Sequence, residues 1–208
     1  MTGGTRHVVV ADGLELLLRP LRPDDKRQLA AAFDRLSPET RYRRFFAPLE
    51  KLSPQDLRYL TEVDHHDHEA IAAVNPENGA IVGVARYVRS EDPSEAEVAV
   101  VVGDPWQGHG VATALLQRLV ARAREEGIDH FVALVMGENV DALELFRHLA
   151  PGGSRTRRSA SGHTEVVMAL PDPDRIGEST LGGALRAAAG GLRINPWSIL
   201  RERIRRHN

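Results

Sequence analysis

The segment from residue 98 to residue 116 constrains the fold more than any other part of the chain. It begins as an apolar run, passes through a turn that contains Gly108 and Gly110, and continues with apolar residues at helical spacing. The run predicts a buried strand, and the spacing predicts an amphipathic helix that begins near Gly110. The segment is therefore predicted to be a strand, a glycine turn and a helix in direct succession.

The turn has the chemistry of a phosphate site. Gly108 and Gly110 can adopt positive φ and carry no Cβ, so the main chain can approach a ligand and direct its N–H groups at it. The first N–H groups of the following helix add unpaired donors and the positive end of the helix dipole. The next glycine after Gly110 is Gly127, which disfavours a dinucleotide fingerprint, and the chain has no Gly-Lys-Ser/Thr of a Walker loop.

The turn sequence Gln107-Gly-His-Gly-Val-Ala112 resembles the Gln/Arg-x-x-Gly-x-Gly/Ala signature of the GNAT family of N-acetyltransferases. The resemblance implies that the turn binds the pyrophosphate of acetyl-CoA, with the preceding strand holding the rest of the donor. For the His109 side chain, contact with a phosphate and exposure to solvent are both open. The residues predicted to bind the donor are Val100, Val101, Val102, Gln107, Gly108, His109, Gly110, Val111, Ala112, Thr113, Asn139 and Phe146.

Composition limits the class of protein. A chain of 208 residues with 42% hydrophobic residues can form one domain with a substantial core. The net charge of −2 gives no nucleic-acid signature, and the lack of cysteine excludes disulfides, thiolate zinc sites and a cysteine nucleophile. No apolar signal core or membrane-spanning run is present, so a cytoplasmic soluble protein is expected.

Hydrophobic periodicity predicts the order of elements along the chain. The predicted strands are residues 7–11, 14–19, 70–74, 80–88, 95–102, 130–136 and 163–170; helices are predicted near residues 23–36, after Ser37-Pro38 and Ser53-Pro54, and at 111–126 and 139–149. This order matches the GNAT resemblance and implies a mixed α/β (α+β) domain with a largely antiparallel central sheet flanked by helices. The expected organisation is a disordered N-terminus at 1–6, the domain at 7–170 and a linker with a basic helical appendage at 171–208.

The appendage carries apolar residues among its arginines. Ile194, Trp197, Leu200 and Ile204 recur through a short basic segment. A tail helix that packs on the domain or on a second subunit of a homodimer is favoured. Contact with a membrane surface or a nucleic acid is the alternative, because basic amphipathic helices can bind both.

Glu97 is the candidate catalytic residue. It begins an apolar strand in a Glu-Val-Ala context that resembles the catalytic glutamate of bacterial protein lysine acetyltransferases. A desolvated carboxylate suits a general base that takes a proton from an amine, directly or through water. A solvent-facing Glu97 is the alternative, with Glu95 and Asp64 as substitute bases.

The segment from Asn139 to Phe146 resembles the family's Asn-x-x-Ala-x-x-Leu-Tyr helix, in which Asn contacts the pantetheine arm and Tyr protonates the departing thiolate. Phe146 replaces that tyrosine and has no proton to give. Water or the product ammonium can protonate a thiolate instead, and Tyr42, Tyr59 or Tyr87 are possible donors. Because Phe146 replaces the tyrosine, a non-catalytic acyl-CoA sensor remains an alternative function.

Two further segments are distinctive. The run from Asp64 to Glu69 is rich in histidine and aspartate, but adjacent loop residues seldom converge on one ion, so a polar turn is predicted and no metal. The run from Arg41 to Phe46 resembles a segment of protein-acetylating family members that borders the acceptor groove. The alternative is an amphipathic helix with Phe45 and Phe46 in the core and the arginines in water.

The sequence thus predicts an acetyl-CoA-dependent N-acetyltransferase in which a primary amine attacks the donor directly. A protein lysine is favoured as acceptor over a small amine. A small-molecule acetyltransferase, an acyl-CoA sensor and a scaffold for the basic appendage remain the alternatives.

Overall fold

The structure, a computed structural model, describes residues 4–45, 49–136, 154–158 and 163–170. Eight strands in these residues form one sheet, in the order β1-β2-β3-β4-β5-β6-β8-β7. Among the strand pairs of the described residues, only β5–β6 is parallel. The elements are β1 (Arg6–Val9), β2 (Glu15–Pro20), α1 (Lys26–Asp34), α2 (Pro38–Phe45), α3 (Pro54–Thr61), β3 (His68–Val74), β4 (Ile81–Arg89), β5 (Glu95–Val102), α4 (Val111–Glu125), β6 (His130–Met136), β7 (Ser154–Arg158) and β8 (His163–Ala169).

The predicted fold class is confirmed, because the described chain is a mixed α/β protein with a largely antiparallel sheet and flanking helices. β1 begins at Arg6, one residue before the predicted start of the domain. None of the described helices is both long and apolar enough to cross a membrane.

The side chains of β5 alternate between the two faces of the sheet. Val98 and Val100 pack in the core that also holds the α4 residue Leu115. Val101 packs on the other face, against the clusters formed with α1, α2 and α3. Because side chains alternate along a strand, Glu97 lies on the same face as Val101.

A fork opens between β5 and β6. The two strands pair at three positions, and Glu97 opposite Val132 is the last of them. Beyond it, no described residue of β5 pairs with β6, although β5 stays paired with β4 as far as Val102 and β6 with β8 as far as Met136. The β5 edge inside the fork therefore offers main-chain polar groups to a ligand.

The predicted helix boundaries are confirmed at both Ser-Pro sites. The Ser53 side chain accepts the Asp56 N–H, and the Asp56 carboxylate accepts the Ser53 N–H at 2.8 Å, which completes a capping box. Ser37 Oγ accepts the Thr40 N–H at 3.1 Å at the start of α2. Gly127, at φ +74°, follows the end of α4, and glycine in this left-handed conformation is common at helix C-termini.

Two features of the structure differ from what the sequence pattern indicates. The strand β7 was not predicted, because Ser-Arg-Thr-Arg-Arg contains no apolar residue; it lies at the edge of the sheet, paired only with β8 among the described strands. One of the two interpretations of the Arg41–Phe46 segment places its arginines in water, but Arg44 is 5% exposed. Phe45 is buried as expected. The side chain of Phe46, the helix predicted at 139–149 and the appendage lie outside the described residues.

Candidate functional site

The glycine turn has the backbone conformation that its sequence predicts. Gly108 has φ +88° and Gly110 has φ +81°, in the left-handed region that favours glycine. Gly110 is the N-cap of α4 and supplies no side-chain cap. The turn therefore brings bare main chain to the positive end of a 15-residue helix.

The N–H groups of this turn are available to a ligand. Within the described part of the chain, the N–H groups from Gly108 to Thr113 donate to no backbone or side-chain acceptor. Helical pairing starts at Ala114, whose N–H donates to the Gly110 carbonyl at 3.1 Å. A row of unpaired donors at a helix N-terminus fits the oxygens of a pyrophosphate.

Side chains fix the turn to the rest of the fold. Gln107 Nε2 donates to the Val102 carbonyl at 3.0 Å and so joins the turn to the end of β5. The Asp104 carboxylate accepts from the Ser37 N–H at 2.9 Å, from Ser37 Oγ at 2.8 Å and from Thr40 Oγ1 at 2.7 Å. Burial raises the pKa of Asp104, but these hydrogen bonds outweigh it and lower the pKa overall. Asp104 is therefore a charged clamp between the turn and α2.

The hairpin between β1 and β2 also touches the turn. The Ala11 N–H donates to the His109 carbonyl at 3.0 Å, and His109 Nδ1 lies 2.7 Å from Asp12 Oδ2. The His109 ring thus faces a carboxylate, an orientation that the sequence did not predict. No local signal could have revealed a contact between residues so far apart in the chain.

The valines predicted to bind the donor contribute differently. The side chains of Val100, Val102 and Val111 are buried in the core beneath α4, so these residues offer a ligand only their main chain. Val101 is half-buried on the opposite face, and Ala112 and Thr113 are half-buried at the start of α4. Asn139 and Phe146 lie outside the described residues, so their donor contacts stay predictions.

Glu97 is half-buried where the fork begins. Glu95 is also half-buried and lies on the same face two residues earlier, opposite His130. Asp64 is a poor substitute base, because its carboxylate accepts the N–H groups of His66 at 2.9 Å and His68 at 2.8 Å. Burial raises the pKa of Asp64, yet the hydrogen bonds prevail and lower it. The role of Glu97 as base stays a prediction.

The three tyrosines occupy different environments. Tyr87 is buried and its hydroxyl donates to the His66 carbonyl at 3.0 Å. Burial and the nearby Glu69 charge raise the pKa of Tyr87, so it is unsuited to give a proton. The Tyr59 ring lies 4.9 Å from that of His68, and Tyr42 is exposed.

The Asp64–Glu69 segment is a polar turn whose side chains diverge. His65 contacts Glu69, His66 contacts Glu126, and Asp67 contacts Arg89. Among the described residues, no group of histidines and carboxylates is arranged to hold a metal. These contacts attach the turn to α4 and β4.

Comparisons with known proteins agree with this geometry. The sequence model of the acetyltransferase (GNAT) family matches residues 31–150. Acetyltransferase PA5475 of Pseudomonas aeruginosa is 35% identical over 161 residues, which are 76% of this chain and 85% of that protein. Acetyltransferase Pat of Mycolicibacterium smegmatis is 35% identical over 170 residues, which are 81% of this chain but 50% of that protein.

Solved structures show the same fold. The GNAT domain of S. lividans PAT has a TM-score of 0.72 and 34% identity, with 80% of this chain and 97% of that domain covered. Salmonella typhimurium yncA, solved with acetyl-CoA, shares the fold at a TM-score of 0.58 and 18% identity, covering 76% and 95% of the two chains. The predicted enzyme class, an acetyl-CoA-dependent N-acetyltransferase, is confirmed, and the chain belongs to the acetyltransferase (GNAT) family.

Proposed function

We propose that the chain binds acetyl-CoA along β5 and the glycine turn and transfers the acetyl group to a lysine of a protein. One observation gives the main support for this donor site. The unpaired N–H groups from Gly108 to Thr113 lie at the N-terminus of α4, which follows the open edge of β5. The turn fits the pyrophosphate, and the β5 edge within the fork fits the amides of the pantetheine arm. We place the protein in the cytoplasm, where acetyl-CoA is available.

Glu97 is proposed as the group that prepares the acceptor. An alkylammonium must lose a proton before its nitrogen can attack, and a carboxylate at the fork accepts that proton directly or through one water. Glu97 is the last β5 residue paired with β6, so it stands where the donor groove begins. Phe146 offers no proton, so water or the product ammonium protonates the released thiolate.

The protein acceptor is supported by sequence likeness. The Arg41–Phe46 and Glu95–Val102 segments resemble those of protein lysine acetyltransferases. The relatives at 34–35% identity include Pat and the GNAT domain of a PAT. The chain spans about half the length of Pat.

Labelled acetyl-CoA incubated with the enzyme and a cell extract tests the acceptor class. Label in protein bands, released only after digestion as acetyl-lysine, is the expected result, and Glu97→Gln is expected to weaken those bands. Label confined to small molecules would contradict a protein acceptor but would still support acetyltransferase activity. Tight binding of acetyl-CoA with no label transfer would instead establish a sensor.

A further inference from the structure

A cavity of about 490 Å³ lies between the sheet and the helices α1, α2 and α3. Its size falls within the usual range of small-molecule sites. Most of its wall is apolar, and the apolar side chains include Leu29, Phe33, Leu36, Phe45, Leu60 and Val101. The cavity therefore suits a ligand with an apolar body.

The charge of the cavity has one sign. Among the described residues, each charged side chain that lines it is an arginine: Arg35, Arg44 and Arg86. Arg44 is 5% exposed and Arg86 is 4% exposed. No carboxylate of the described chain forms an ion pair with either, although arginines are seldom buried without such a partner.

The two buried guanidinium groups retain unused donors. Arg86 donates from Nη2 to the Leu60 carbonyl at 3.1 Å, and its Nη1 lies 3.0 Å from His68 Nε2, but its Nε has no partner. Arg44 lies over the Phe45 ring at 5.0 Å, and both its Nε and its Nη1 lack a hydrogen-bond partner. Unsatisfied donors on buried cations are costly, and an anion removes that cost.

The two positive charges also oppose one another. Burial lowers the pKa of Arg44 to about 9, with a further contribution from the charge of Arg86, and burial lowers the pKa of Arg86 to about 10. Both groups stay protonated at neutral pH. A bound anion would relieve the repulsion between them and part of the cost of their burial.

We propose that this cavity is a binding site for an amphipathic carboxylate, whose carboxylate meets Arg44 and Arg86 and whose apolar body fills the space between α1 and the sheet. The three nitrogens without a partner carry four N–H groups, which equals the about four lone-pair sites of a carboxylate and is fewer than the sites of a phosphate. The apolar wall accommodates a hydrocarbon or aromatic group attached to it. The cavity shares the β5 residue Val101 with the proposed donor site, but no residue of the turn from Gln107 to Thr113 lines it. The proposal does not depend on the proposed acceptor.

Calorimetric titration of the full chain with 4-phenylbutyrate tests the proposal. Saturable binding is expected, and 4-phenylbutanol and inorganic phosphate are expected to bind at least about tenfold more weakly. Arg44→Met and Arg86→Met should each weaken binding of 4-phenylbutyrate at least about tenfold, because each removes unused donors. Arg27→Met, at an exposed position of α1, is the matched control and should leave binding unchanged.

If the arginine variants fail to fold, a cavity-filling variant still tests the site. Ala32→Phe occupies the cavity from α1 and keeps both buried arginines, so it should also weaken binding while the circular dichroism spectrum is retained. Absence of saturable binding to the wild type would overturn the proposal. Equal affinity in the wild type and both arginine variants, or phosphate binding as tightly as 4-phenylbutyrate, would overturn it as well.

Discussion

His109 Nδ1 lies 2.7 Å from the Asp12 carboxylate, so the first hairpin of the chain contacts the turn proposed to hold the donor phosphates. The Ala11 N–H reinforces the contact through the His109 carbonyl. Asp12 pays a conformational cost there, because its φ is +60°. The hairpin thus positions a negative charge beside a site built for anions.

Removing that charge should strengthen donor binding. Asp12→Asn keeps the left-handed backbone and removes the repulsion between the carboxylate and the phosphates. Because the carboxylate is exposed, acetyl-CoA affinity should rise by about two- to fivefold at low salt and the gain should shrink at high salt. Calorimetric titration at two ionic strengths measures this, and an affinity that does not change at low salt would contradict it.

A charge at Gly110 should have the opposite effect. Gly110→Asp and Gly110→Asn are nearly isosteric, and both residues tolerate the left-handed backbone, so the pair differs mainly in charge. The aspartate variant should bind acetyl-CoA at least about tenfold more weakly than the asparagine variant, because a carboxylate stands among the phosphate donors. Their melting temperatures should be similar. Equal affinities in the two variants would exclude the turn as the phosphate site.

Asp104 should contribute to stability through its charge. Asp104→Asn removes the charge to which three groups of Ser37 and Thr40 donate, so the free energy of unfolding should fall by about 1–3 kcal/mol. Asp34→Asn, at an exposed position, is the control and should change it by less than about 0.5 kcal/mol. Urea denaturation measures both. If Asp104→Asn lowers the free energy of unfolding no more than the control does, Asp104 does not stabilise the contact with α2.

His68 should make the free energy of unfolding depend on pH in the acid range. Arg86 can only donate, so His68 Nε2 is the acceptor and the ring is neutral; burial and the Arg86 charge lower the pKa of His68 to about 3. Between pH 6.5 and 3 the unfolded histidine binds a proton that the folded one does not, so stability falls as the pH falls.

The variant His68→Gln isolates this effect, because its amide oxygen can accept from Arg86 and does not titrate. From pH 7 to pH 4, the wild type should lose about 2–3 kcal/mol more stability than His68→Gln. His7→Gln, at an exposed position of β1, should lose as much as the wild type. Parallel losses in the wild type and His68→Gln would show that His68 does not resist protonation in the fold.

The elements with strong periodicity could be predicted from the sequence. β5 and α4 carry continuous or helical apolar patterns because each buries a face in one core, and the glycine turn between them has the residues that positive φ requires. β7 could not be predicted in this way. It is an edge strand whose pairing with β8 rests on main-chain hydrogen bonds and not on apolar side chains.

The cationic cavity also could not be predicted, because sequence patterns assign arginines to the surface. One of the two interpretations of the Arg41–Phe46 segment places its arginines in water. The burial of Arg44 depends instead on how α2 packs against α1 and β5. The contact between Asp12 and His109 is likewise a product of tertiary packing. By contrast, Glu97 was singled out from its local sequence, and the structure adds that it is the last β5 residue to pair before the fork.

The role of Glu97 is tested by the turnover of Glu97→Gln, measured together with the acetyl-CoA dissociation constant of the same variant. We predict that turnover falls at least about tenfold while donor affinity stays within about twofold of the wild type. Glu95→Gln, two residues earlier on the same strand face, is predicted to retain turnover. Unchanged turnover in Glu97→Gln would contradict the assignment of Glu97 as the base.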